Sequence, residues 1–310
     1  MEYRTLGKTG LKVSALSFGA SSLGSAFRQI NKSDGLRAVH VSLESGINLL
    51  DVSPFYGLTV AETMLGEALA GVPREKYVLI TKCGRYGNAD FDFSAKRVTA
   101  SIDESLKRLR LNHVEALLAH DIEFGDLNQI IQETIPAMRK IQQTGKVRFI
   151  GISGLPLAAF RRVADAVPLD VVLSYCHYGL NDTALSDFIP QFKKQGIGII
   201  SASPLGMRLL SESGMPDWHP APAAVKAACS KAVAHCRARG SNIEKLALQF
   251  ALANPDIATI MVGSADPENM KRNIAWAAEP LDRKLLAEVL EIIKPVHNVT
   301  WSSGRPENNV

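Results

Sequence analysis

The chain has 310 residues, 46% of them hydrophobic and 21% charged, with a net charge of +4. That length buries most of its apolar surface without staples and fits one large domain or two small ones. Scattered basic residues with no aromatic-interleaved Lys/Arg block argue against nucleic acid. The four cysteines form no C-x-x-C pair. No apolar run reaches the roughly 18 residues of a membrane span, and no secretory signal opens the chain, so a cytoplasmic protein with reduced thiols and no membrane partner is expected.

After a polar start, YRTLG and LKVSALSFG read as a short hairpin around a glycine turn at residues 8–10. Short apolar runs then alternate with longer amphipathic stretches. The runs span 16–20, 46–51, 77–82, 114–120, 147–153, 170–175, 197–203 and 257–263, which gives eight candidate strands. They are continuously apolar rather than alternating, as expected of parallel strands covered on both faces. Between them, Val98, Ile102, Leu106 and Leu109 mark one face of a helix with Ser94 as N-cap. Residues 127–145 repeat the helical pattern up to a stop at Gly145, and the internal Pro136 predicts a kink or a break. Residues 207–240 exceed the needs of one strand–helix unit, so a long loop and an extra helix are expected there. The polar tail after residue 298 is expected to lie over one face of the fold.

Eight strands alternating with helices match a (β/α)8 TIM barrel of the α/β class, occupying residues 1–310 as a single domain, with an N-terminal β-hairpin and extra helices and long loops in the C-terminal half. A doubly wound open sheet competes, but its G-x-G-x-x-G turn is missing, since FGASSLG has the wrong glycine spacing.

In a barrel of this type the chemistry sits at the C-terminal strand ends. The second strand ends in Asp51, the third in Lys82, the fourth in His120 followed by Asp121; Tyr56 follows the second by five residues. One ionisable group at a strand end is unremarkable, but three in succession point to a site. A phenol titrates near 10 in water. A nearby ammonium is expected to lower that value, Asp51 would pair with the buried Lys82, and a neutral His120 would orient a substrate oxygen. The expected result is an acid/base for a carbonyl or carbinol oxygen.

These residues carry a family resemblance. LLDVSPFYG, ITK and LLAHD resemble the Asp/Tyr/Lys/His tetrad of the aldo-keto reductases, and the resemblance runs the length of the chain. It implies Tyr56 as the general acid/base, Lys82 and Asp51 as its tuning pair, and His120 as the orienting group. The segments GISG, SASPLG and VGSADPENMKRN resemble the family's nicotinamide, pyrophosphate and adenosine segments. They imply cofactor contacts at Ser153, Tyr175, Ser203, Leu205, Gly206, Arg208, Gly263, Ser264, Asn269 and Asn273. KCGRYG, HDIEFGDL, LSYCHYGLND and ISASPLGM resemble the branch of the family, in plants and bacterial relatives, that oxidises sugars such as L-galactose at C1. The implied activity is therefore oxidation of an aldose to its lactone, on L-galactose, L-fucose or a related sugar. A pyridoxal dehydrogenase, a generic aldehyde reductase and a non-catalytic cofactor-sensing subunit are the alternatives. The chain departs from the family in having Gly154 where many members have Asn, Tyr175 where many have Gln, and Ala202 at a position that often carries the stacking aromatic.

The adenosine segment offers Gly263, Ser264, Ala265, Asp266 and Asn269 where a 2′-phosphate would need a basic partner. Asp266 suits a ribose diol, so NAD is expected over NADP. Tyr86, Asp121, Trp218 and His219 are the candidate substrate contacts, with Arg85 and Glu123 beside them. Trp218 and His219 lie in a proline-rich insertion that reads either as a lid or as a plain surface loop. His177 beside Cys176 lacks a second ligand pair, so no metal is expected.

Overall fold

The computed structural model describes residues 1–25 and 29–310. Strands β1 (Tyr3–Thr5) and β2 (Lys12–Ser14) pair antiparallel as the expected hairpin. Eight parallel strands follow: β3 (Leu16–Gly19), β4 (Leu49–Asp51), β5 (Val78–Cys83), β6 (Val114–Ala119), β7 (Val147–Gly154), β8 (Val171–Tyr175), β9 (Gly198–Ala202) and β10 (Thr259–Val262). Each pairs with the next, and β10 returns to β3, which closes the sheet into a barrel. The open doubly wound arrangement is excluded by that closure.

Strand parity decides which side chains enter the barrel. Leu49, Ile80, Leu118, Val171, Leu173, Ile200 and Met261 form an interior cluster. Their neighbours Leu50, Leu79, Leu117, Val172 and Ile199 belong to the outer cluster beneath the helices. The hairpin's Leu6 and Val13 join the interior cluster, so the hairpin plugs the N-terminal end of the barrel. The C-terminal end is left as the place where a site can open.

Helix Ala95–Leu109 starts at Ser94, whose side chain accepts a hydrogen bond from the Arg97 N–H, and Val98, Ile102, Leu106 and Leu109 are all buried. At Pro136 the sequence pattern is interrupted in a specific way. A helical turn at Leu127–Gln129 widens into a π-turn at Ile130–Thr134 before helix Ile135–Gln143 resumes. The wide turn accommodates the missing N–H and the proline ring, so the backbone stays helical through the interruption. The long insertion is an irregular loop followed by helix Ala223–Ala238, which packs with Arg283–Ile293 around Val225, Cys229, Leu285 and Val289. Among the described residues, no helix is long and apolar enough to cross a membrane.

Candidate active site

The interior parity of the barrel also delivers its polar groups. Asp51 lies two residues beyond interior Leu49, Lys82 two beyond Ile80, and His120 two beyond Leu118. Ser153 and Tyr175 follow the same rule on β7 and β8. All project into the C-terminal mouth because a strand that points one side chain inward points the second one after it inward too.

Lys82 is 1% exposed and all three ammonium protons have acceptors: Asp51 Oδ1 at 2.5 Å, the Val52 carbonyl at 3.0 Å and the Tyr56 hydroxyl at 3.3 Å. The Tyr56 ring stands edge-on to the His120 ring, with centroids 5.6 Å apart. The loop bearing Tyr56 is pinned by a close backbone crossing. A Cβ on Gly57 would sit 2.2 Å from the Gly24 carbonyl oxygen, and Gly57 has φ +61°. Only glycine fits that position, and it fixes where the preceding tyrosine emerges.

Burial pushes the Asp51 carboxyl up against the opposing pull of Lys82, while pairing with Asp51 and Tyr56 raises the Lys82 ammonium despite its burial. The 2.5 Å contact between Lys82 Nζ and Asp51 Oδ1 holds the two groups together as a salt bridge. Burial, then the positive charges of Lys82 and Arg85, hold His120 well below its ordinary value, so its ring is neutral. The phenol corrects the sequence expectation. Burial pushes Tyr56 up to about 12; Lys82 acts to lower it, but the carboxylates of Asp51 and Asp121 oppose that ammonium. The sequence showed the cation and could not weigh the desolvation or the nearby acids.

A cavity of about 380 Å³ opens over this cluster, lined among others by Phe55, Arg85, Asp121, Met207, Glu244 and Leu248. Of the cofactor candidates, Ser153, Tyr175, Ser203, Leu205, Arg208, Gly263 and Asn273 lie on its wall, whereas Gly206, Ser264 and Asn269 do not line it. Ser264 and Asn269 bond each other, and Asn269 is held by Arg272. Among the described residues, no carboxylate pairs with Arg208, whose guanidinium contacts only the Ser213 hydroxyl. Among the described residues, Ser153 Oγ makes one long contact, 3.5 Å to the Ala119 carbonyl. An unpaired cation, a loosely engaged hydroxyl and the Asn273 amide along one wall suit a dinucleotide with a diphosphate and a carboxamide.

Asp121 lines the cavity and accepts a 2.5 Å hydrogen bond from Arg85, whose guanidinium lies 3.7 Å from the Phe55 ring centroid. The other three substrate candidates are elsewhere. Tyr86 is buried under the guanidinium of Arg97, off the cavity wall. Trp218 is 60% exposed and stacks on His219. His219 is buried; its Nε2–H donates to the Gly206 carbonyl at 2.9 Å and its Nδ1 accepts from the Ala221 N–H at 3.1 Å. It fastens the loop carrying Gly206 and does not reach the cavity. The insertion is thus anchored from beneath by its histidine, and its tryptophan faces outward. His177, the residue that raised the metal question, pairs with Asp182 at 3.1 Å, and no cluster of three metal-ligating residues occurs among the described residues.

Sequence reading missed the depth of Glu123. Its Oε1 accepts from the Leu155 N–H, the Tyr175 hydroxyl and the Ser303 hydroxyl at 3.2, 3.3 and 3.0 Å. Its main-chain carbonyl accepts from the Arg305 N–H and the Asn308 side chain, so the polar tail is docked on it. A Cβ on Gly154 would lie 2.3 Å from Glu123 Oε2. That explains one departure from the family: this carboxyl fills the space an Asn at position 154 would need. Burial, then Asp121, pushes Glu123 up to about 8.

Residues 15–294 match the sequence profile of the Aldo/keto reductase family. The chain belongs to the aldo-keto reductase family. This aldo-keto reductase is 52% identical over 317 aligned residues to L-galactose dehydrogenase of Arabidopsis thaliana, covering 99% of both chains. It is 28% identical to D-threo-aldose 1-dehydrogenase of a Pseudomonas species, covering 91% of this chain and 94% of the relative. Among solved structures, the holo form of an aldo-keto reductase from Bacillus halodurans superposes with a TM-score of 0.79 at 24% identity, covering all of both chains, a likeness of fold.

Proposed function

We propose that this aldo-keto reductase is an NAD-dependent aldose 1-dehydrogenase that oxidises L-galactose, or a closely related sugar such as L-fucose, to its lactone. The observation that carries the reading is the convergence of Asp51, Tyr56, Lys82 and His120 at one cavity in a chain 52% identical, end to end, to an L-galactose dehydrogenase. In this reading the Tyr56 phenolate takes the proton of the C1 hydroxyl and becomes the neutral phenol, Lys82 stabilises the phenolate before that transfer, and Asp51 keeps Lys82 charged and in place. Neutral His120 hydrogen-bonds the same oxygen and fixes its direction. Bound NAD supplies the hydride acceptor and a positive ring charge that, like that of Lys82, favours the phenolate. Ser153 would hold its nicotinamide carboxamide, Asn273 its adenosine end, Tyr175 its nicotinamide ring face and Arg208 its diphosphate. The Arg85–Asp121 pair presents a donor and an acceptor to neighbouring sugar hydroxyls.

The preference for NAD is supported by how the nearby cations are engaged. Lys271 pairs with Glu268 at 2.8 Å, and Arg272 bonds Asn269 and lies 5.2 Å from the Trp276 ring centroid. Asp266 is spent capping helix Pro267–Ala278, where it would face a 2′-phosphate with like charge. The test is an initial-rate screen of cofactor reduction across aldoses of both hands with NAD and with NADP. Reduction of NAD by L-galactose or a stereochemical neighbour, with kcat/KM well above that for NADP, is the expected result. Turnover confined to aldehydes with reduced cofactor, or a clear NADP preference, contradicts it.

A further inference from the structure

Ser53 lies in the loop between Asp51 and Tyr56. It is fully buried, and its hydroxyl oxygen is 2.9 Å from His120 Nδ1. The same oxygen accepts the Phe55 N–H at 3.1 Å. A serine hydroxyl has one proton to give, and among the described contacts the only acceptor it meets is Nδ1. If Nδ1 carried the ring proton, the serine proton would be left without a partner in a dry interior, which is costly. On the other side of the ring, His120 Nε2 lies 3.6 Å from Asp121 Oδ2, an acceptor that favours a proton on Nε2. Both sides of the imidazole therefore ask for one tautomer.

We infer that Ser53 is a positioning residue that locks His120 as the Nε2–H tautomer, so that the ring presents a hydrogen-bond donor, rather than a lone pair, to the substrate oxygen that faces Tyr56. The inference rests on the proposed role of His120 in orienting that oxygen. With Nδ1 occupied by Ser53, Nε2 is the ring's free nitrogen, and a donor there can hold a carbonyl or carbinol oxygen in either direction of the reaction. Without Ser53 the neutral ring is free to populate the other tautomer or to turn.

The test uses the full chain in two variants, Ser53→Ala and Ser53→Thr, with ring ¹⁵N spectra of histidine-labelled protein assigned through a His120→Asn control. In wild type, His120 shows a pyridine-type Nδ1 and a protonated Nε2, with or without substrate. In Ser53→Ala the two nitrogens move toward the mixed-tautomer pattern, kcat falls about tenfold while KM stays within about twofold, and Ser53→Thr restores both. A protonated Nδ1 in wild type overturns the inference, as does a Ser53→Ala variant that keeps wild-type kcat with an altered tautomer. The spectra are read without turnover. A failure of every aldose to reduce NAD would therefore count against the proposed function and leave the tautomer result standing.

Discussion

Lys82→Met separates the two duties assigned to the buried lysine. In the folded chain its ammonium lies 3.3 Å from the Tyr56 oxygen, and at an effective dielectric near 20 a unit charge at that distance favours a phenolate by about 5 kcal/mol. Only part of that charge develops in the transition state, so kcat for oxidation is expected to fall between about 10²- and 10³-fold. The same substitution strips Asp51, 1% exposed, of its cation, and breaking a buried pair from one side costs about 3–5 kcal/mol of stability. Asp51, already pushed up by burial, takes a proton instead of staying charged. The double variant Asp51→Asn/Lys82→Met removes that orphaned carboxyl. Urea denaturation should show the double variant more stable than Lys82→Met alone by about 2 kcal/mol, while initial rates stay as low as in the single variant. If activity returned together with stability, Lys82 would be a scaffold for the loop and not a source of charge for Tyr56.

With the phenol pushed up to about 12, the reactive phenolate is a minor species at neutral pH, so kcat for sugar oxidation should rise with pH between about 7 and 10; a flat profile would contradict that assignment. Glu123 carries a pH signature of its own. Its folded value of about 8 lies above its usual 4.5, so the folded chain holds a proton that the unfolded chain has lost. Stability is therefore lost as pH rises from about 4.5 to about 8, by up to about 1.4 kcal/mol per pH unit, and levels off above. Glu123→Gln removes this slope, so its stability relative to wild type should climb across that window in urea titrations; a constant difference would show that Glu123 is ionised throughout. Asn308 donates to the Glu123 and Gly125 carbonyls at 2.8 and 3.0 Å from a buried position. Asn308→Ala should cost about 2 kcal/mol and raise proteolytic cleavage in residues 299–310, and unchanged cleavage would mean the tail is held by other contacts.

The barrel was legible because its evidence is local. Eight apolar runs recur at the spacing a parallel strand and its helix require; six of the barrel strands fall within the stretch read for them, and β5 and β7 each run one residue past it. The strand-end polar groups were legible for the same reason, since parity carries Asp51, Lys82 and His120 inward by a rule that needs no tertiary knowledge. What sequence could not show depends on partners far along the chain. Ser303 and Asn308 reach Glu123 across about 180 residues, and nothing near Glu123 announces that a tail will cover it. Tyr86 follows Lys82 closely in sequence, yet the chain turns there and Arg97 covers its ring. Trp218 and His219 are adjacent in sequence and both read as substrate candidates, but the histidine goes under the loop while the tryptophan stays outside. The sequence shows the ammonium that favours the Tyr56 phenolate but not the burial and the two carboxylates that oppose it. Ser53 reads in the sequence only as a loop former, because the His120 ring that its hydroxyl meets lies 67 residues further along the chain.

The most direct test of the account compares Tyr56→Phe with wild type in single turnovers of NAD reduction by L-galactose, alongside a fluorescence titration of NAD. Loss of about 10³-fold or more in rate, with NAD affinity within about twofold, is predicted, because the ring stays and only the proton-exchanging oxygen is removed. A variant that turns over at the wild-type rate would show that the proton leaves by another route and that the tetrad is not the catalytic centre.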